Sequence, residues 1–183
     1  MPGYNYNQRF LDPEKVLFRA GLTVGQNIAD LGAGSGFYAL ASARVVGQGG
    51  KVYVVDLLEE SLAHVAGEAQ LRLLKNVQTI RADLDKPGAT ARIPDGSCDM
   101  VVFGNLFHQI KNRKNLLAEA YKILKSGGKL LLVDWNDRPG PIGPKHEDRI
   151  GEESARKHVT ESGFSFNSKI ETDPYHYGLI FTK

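Results

Sequence analysis

The chain has 183 residues, 42% of them hydrophobic and 24% charged, with a formal net charge of +2. That is enough for one domain with its own core, and it excludes disordered, collagen-like and coiled-coil chains. The lone Cys98 excludes an internal disulfide, no apolar run reaches the ~20 residues of a membrane span, and the first residues lack a secretion signal, so a cytoplasmic protein is expected.

Residues 1–21 read as an N-terminal cap segment of a single domain spanning 1–183. Asp12 is placed to cap a helix that opens with Pro13, buries Val16, Leu17 and Ala20, and stops at Gly21. Residues 26–31 form a short apolar strand, 32–36 a glycine-dense turn, 37–46 a helix, and 51–56 a β-branched second strand. Leu62, Val65, Ala66, Ala69 and Leu73 recur at helical spacing and predict a helix over 59–75, followed by a strand over 76–81. Beyond the polar connection 82–96, strands are predicted at 98–104 and 129–135, on either side of a helix over 112–125. The proline- and glycine-rich stretch 136–149 reads as a long functional loop. A helix over 151–162 and an antiparallel hairpin over 164–172 and 175–182 complete the chain. Five strands alternating with helices predict an α/β fold with a largely parallel sheet.

The segment Asp30-Leu31-Gly32-Ala33-Gly34-Ser35-Gly36 joins the first strand to its helix. Glycines at alternate positions allow a sharp turn and close approach of backbone to ligand. Ligands of open α/β sheets bind at such strand ends. A dinucleotide fingerprint would need glycine at position 37, where Phe37 stands. Asp30 adds negative charge, which suits a sulfonium or ammonium cation better than a pyrophosphate. Asp56, ending the second strand, is placed to accept from ribose hydroxyls or to cap the next helix. Asp83 is placed to accept from an exocyclic amine or to sit solvated in its loop. Leu57, Leu58 and Leu84 flank these acids and offer apolar surface to a flat ring.

Together with residues 97–105 (Ser-Cys-Asp-Met-Val-Val-Phe-Gly-Asn) and 124–130 (Leu-Lys-Ser-Gly-Gly-Lys-Leu), these motifs resemble those of class I S-adenosylmethionine-dependent methyltransferases. The likeness is nearest to the small-molecule, quinone-biosynthesis-like branch, although Ser126 replaces the usual proline. It implies a Rossmann-like, doubly wound seven-stranded sheet in the order 3-2-1-4-5-7-6, with strand 7 antiparallel. It also implies S-adenosylmethionine as methyl donor, S-adenosylhomocysteine as product, and no metal. By this resemblance Asp30 and the Gly32, Gly34 and Gly36 backbone hold the methionine part. Asp56 holds the ribose, Asp83 and Leu84 the adenine, and Asn105 and Leu106 lie beside the sulfonium. Leu31, Ala33, Phe37 and Leu57 complete the cofactor-binding set.

Methyl transfer is an in-line displacement that needs alignment, exclusion of water and, for a protonated acceptor, a base. His108, just past the fourth strand, is the candidate base or a residue lining the site. Tyr4, Tyr6, Phe10, Asp134, Trp135, His146 and Arg149 are the substrate-side candidates. His146, Glu147 and Asp148 are adjacent and do not converge as metal ligands. The Asn-Pro-Pro-Tyr/Phe motif of nitrogen methyltransferases is missing after the fourth strand, so a small-molecule acceptor leads. The basic residues Lys111, Arg113, Lys114, Lys122 and Lys125 read as a solvated helix face. They also motivate an RNA or protein acceptor as the alternative, and a non-catalytic module that binds the same cofactor is a third reading.

Overall fold

Asp12 caps the first helix as expected, accepting the Lys15 N–H at 3.3 Å, and Pro13 opens α1 (Pro13–Arg19). In the computed structural model residues 11–139 and 143–183 are described. Residues 1–10 of the cap segment, with Tyr4, Tyr6 and Phe10, and 140–142 of the long loop lie outside the described residues.

From there β1 (Asn27–Leu31), α2 (Phe37–Val46), β2 (Lys51–Asp56), α3 (Glu59–Leu71) and β3 (Val77–Arg81) alternate. They are followed by β4 (Cys98–Gly104), α4 (Arg113–Ile123), β5 (Leu124–Trp135), α5 (Glu152–Glu161), β6 (Ser165–Ile170) and β7 (His176–Thr182). The seven strands lie in the order β3-β2-β1-β4-β5-β7-β6. β7 pairs antiparallel with both of its neighbours and alone runs against the rest, as the resemblance implies.

Strand alternation distributes side chains between two cores. Ala29, Leu31, Val101, Phe103, Leu130 and Leu132 meet α4 and α5 on one face. Ile28, Met100, Val102, Leu131 and Val133 meet α1, α2 and α3 on the other. By the same parity Asp30 and Trp135 belong to the α2 face, whereas Asp134 belongs to the α4–α5 face.

Three boundaries differ from the sequence reading. α3 ends at Leu71, and Leu73 adopts a left-handed φ of 57° and is exposed, so it adds nothing to the apolar stripe. α4 ends at Ile123, and Leu124 already pairs with Cys98. The register then shifts so that Met100 pairs with Lys129, with Gly127 at φ 72° absorbing the extra residues as a bulge. The loop after β5 carries one 3-10 turn at His146–Asp148. The polar connection after β3 is tied down by buried Glu119 of α4, which accepts the N–H groups of Gly88 and Thr90 at 2.7 and 2.9 Å. Among the described residues no helix is long and apolar enough to cross a membrane.

Candidate active site

The carboxyl ends of β1, β4 and β5 and the first residue of β7 surround a cavity of about 450 Å³. Its floor is the glycine turn, where Gly32 and Ala33 donate to the Val55 carbonyl at 2.7 and 3.2 Å. Gly32 has a φ of 75°, and a Cβ there would lie 2.4 Å from Leu106 Cδ1, so the turn requires glycine. Leu106 therefore packs against the turn from the core and is not part of the cavity wall. Gly104 permits a second close approach, since a Cβ on it would meet the Tyr38 ring at 2.4 Å.

Four buried polar atoms of cavity-lining residues have no hydrogen-bond partner among the described residues: Asp30 Oδ2, Tyr38 Oη, Asn105 Oδ1 and His176 Nε2. Unpartnered buried polar groups are rare in folded proteins and call for an explanation. Burial pushes the Asp30 carboxyl up to about 7, with the Ala39 N–H opposing and the Asp56 charge adding to the rise. Tyr38 is raised far above the ordinary phenol range by burial and by the charges of Asp30 and Asp173, so it stays a neutral hydroxyl. Asn105 holds a left-handed φ of 55°, fixed by its N–H to the Val133 carbonyl at 2.8 Å and its carbonyl to Gln109 Nε2 at 2.7 Å.

The remaining cofactor candidates divide. Asp30, Gly32, Ala33, Gly34 and Phe37 line the cavity with Asn105. Leu31 is wholly buried in the core, and Gly36 caps α2 at the far side of the turn. Asp56 braces the turn, accepting the Gly34 N–H at 2.8 Å and the Leu58 N–H at 2.9 Å. Leu57 and Leu58 are exposed beside it, while Leu84 is buried in the core. Asp83 sits at the surface, accepting the Asp85 N–H at 3.1 Å and pairing with Lys86 at 3.2 Å. These two contacts hold its carboxyl below the ordinary range.

His108 does not line the cavity. Its Nδ1 pairs with Asp134 Oδ1 at 2.7 Å, and its N–H donates to Asp134 Oδ2 at 3.0 Å. Asp134 also accepts the Trp135 N–H at 2.8 Å and is fully buried, while His108 is part-buried. The reason is parity: residue 134 shares the face of Leu130 and Leu132. Arg149 is likewise consumed internally, donating to the carbonyls of Pro144, Asn136 and Arg138. His146 is exposed and only 3.8 Å from Asp137. Of the substrate-side candidates that are described, Trp135 alone reaches the cavity. On the basic face, Lys122 and Lys125 pair with Asp95 and Asp99, and Arg113 donates to the Phe107 carbonyl.

The sequence reading missed His176 and Asp173. Asp173 Oδ1 accepts the N–H groups of Tyr175 and His176 at 2.8 and 3.0 Å and meets His176 Nδ1 at 2.7 Å. His176 faces Trp135 directly across the β5–β7 ladder, with ring centroids 4.1 Å apart. Asp173 and His176 also line an open groove of about 940 Å³ that runs between the loop after β5 and the β6–β7 turn. An acid three residues before a histidine, at the turn into a strand paired with the one bearing Trp135, was the available signal.

Comparison with known proteins agrees with this geometry. A ubiquinone/menaquinone biosynthesis C-methyltransferase of Psychromonas ingrahamii is 28% identical over 120 residues, covering 64% of this chain and 45% of the relative. Its counterpart in Escherichia coli matches to the same extent, so the matched stretch spans about half the length of these curated relatives. The crystal structure of a SAM-dependent methyltransferase from Aquifex aeolicus superposes with a TM-score of 0.87 at 28% identity, covering 94% of this chain and 90% of that one. The methyltransferase domain family matches residues 29–132, from the third residue of β1 into β5, and the chain belongs to that family.

Proposed function

We propose that this protein transfers a methyl group from S-adenosylmethionine to a small-molecule acceptor. The observation that carries the reading is the group of unpartnered polar atoms around a glycine turn, since it fits a ligand that brings its own donors and a positive charge. Asp30 Oδ2 and Asn105 Oδ1 would take the donor's ammonium end, with Gly34 and Phe37 beside it. Asp56 braces the turn with one lone pair on each oxygen and keeps others for the ribose hydroxyls. Asp83 and the exposed Leu57 would meet the adenine at the surface end of β2 and β3. When bound, the donor supplies a methyl group on a good leaving group. The chain's own contribution is to align the acceptor, to exclude water and to receive a proton.

The acceptor enters along the groove and stops against Trp135, which gives a flat apolar surface. That platform, and the likeness to ubiquinone/menaquinone biosynthesis C-methyltransferases, both support a conjugated, quinone- or phenol-like ring. Calorimetric titration with S-adenosylmethionine and S-adenosylhomocysteine tests the donor site. Saturable binding of both is expected, and its absence at millimolar ligand would overturn the reading.

A further inference from the structure

We propose that His176, held by Asp173, is the general base for an acceptor that arrives as a weakly acidic hydroxyl on a flat conjugated ring. The proposal rests on the methyl-transfer reading and adds the acceptor class and the residue that prepares it.

The geometry defines which nitrogen acts. Asp173 Oδ1 accepts two backbone N–H groups and lies 2.7 Å from His176 Nδ1. A carboxylate only accepts, so Nδ1 carries the hydrogen and the neutral ring leaves its lone pair on Nε2. Nε2 is buried and unpartnered among the described residues, in a ring that walls both the cavity and the groove. The ring is fixed from two sides, by Asp173 and by the tilted stack on Trp135 at 4.1 Å. A bracing role would use Nδ1 alone, and it leaves the buried Nε2 unexplained. A hydroxyl on a ring seated against Trp135 supplies the missing donor.

The charges around the site suit a proton acceptor. Asp173 touches the ring, and Asp30 and neutral Tyr38 face it across the cavity. Asp137, Arg138, Lys169 and Glu171 face it along the groove. In the step, Nε2 takes the hydroxyl proton and the acceptor oxygen keeps the electron pair. That pair forms the new oxygen–carbon bond as the methyl–sulfur bond breaks, and its electrons stay on sulfur. The imidazolium, stabilised by Asp173, then loses its proton to water in the groove.

Two measurements on the full chain test this. Side-chain nitrogen NMR of the protein alone is expected to show neutral His176 protonated at Nδ1, and a resonance protonated at Nε2 would overturn the proposal. The second measurement adds 4-nitrophenol to protein saturated with S-adenosylhomocysteine, at a pH where the free phenol is mostly neutral. The yellow phenolate band is expected to appear together with a cationic His176 and quenching of Trp135, the only tryptophan in the chain. His176→Gln is expected to weaken nitrophenol binding about tenfold and remove the band, measured with S-adenosylhomocysteine saturating for each protein. An unchanged band in His176→Gln, or no band in the wild type, would overturn the base. Loss of S-adenosylhomocysteine binding in the wild type would instead overturn the donor reading and leave the NMR result to judge His176.

Discussion

The molecule holds two histidine–aspartate pairs of nearly the same local geometry, and they sit on opposite faces of the sheet. In both, Nδ1 lies 2.7 Å from a carboxylate Oδ1 and backbone N–H groups orient the acid. His108–Asp134 is on the α4–α5 face and closes the core above β4 and β5. His176–Asp173 is on the face that carries the glycine turn, in a ring that lines a cavity and whose Nε2 is buried without a partner among the described residues. Chemistry alone does not distinguish them; the parity of the strand does. A hydrogen-bonded His–Asp pair is therefore a weak signature of catalysis until the direction of the second nitrogen is known.

Substitutions should separate the pairs. The largest effect is expected from His176→Gln, which should lower kcat with a phenolic acceptor by about 10²- to 10³-fold, the usual worth of a positioned base. His108→Gln should leave kcat within several-fold and lower Tm instead. Equal losses of kcat in the two variants would erase the distinction.

Next comes stability at the core pair. Asp134→Ala leaves the N–H groups of His108 and Trp135 and the His108 ring without their acceptor. It should cost about 3 kcal/mol in urea denaturation, and Asp173→Ala, whose pair borders open space, should cost less. The reverse order would place the structural pair at β7.

The third prediction concerns the carboxylate beneath the cavity. Asp30 is raised by burial to about 7 from 3.8. The folded state thus holds its proton more tightly than the unfolded chain, so stability is greatest below the unfolded value and declines as pH rises through about 7. Between about pH 5 and 8 this decline should amount to about 2 kcal/mol. Asp30→Asn should flatten that slope while weakening donor binding, and a slope unchanged in the variant would refute the burial argument. A cation bound at Asp30 favours the ionised form, so donor affinity should rise with pH over the same window. The smallest effect is reserved for the basic face: Lys125→Ala removes an exposed ion pair with Asp99 and should change stability by under about 0.5 kcal/mol.

Much of this was legible in the sequence, for definite reasons. β-branched strands alternating with amphipathic helices specify the parallel sheet, and glycines around Asp30 mark where the ligand side begins. His108 was legible only as a histidine after β4. β5 is apolar on both faces, so its pattern hides which side Asp134 takes, and the partner of His108 stays hidden with it. Asp56 was read as a ribose acceptor or a helix cap, and its brace on the Gly34 N–H is visible only once the turn is folded back on β2. His176 fell inside the predicted last strand with nothing local to single it out, and its cross-strand match with Trp135 depends on the β5–β7 register.

β7 is the one strand that runs against the sheet, and that reversal has an evolutionary consequence. The other strands meet the ligand edge with their last residue. β7 meets it with its first residue, fed by the short turn from β6. Length changes in that turn would re-aim Asp173 and His176 without moving the glycine turn on which the donor rests. Descendants of this chain could change acceptors at one end of the sheet while the other keeps its methyl donor.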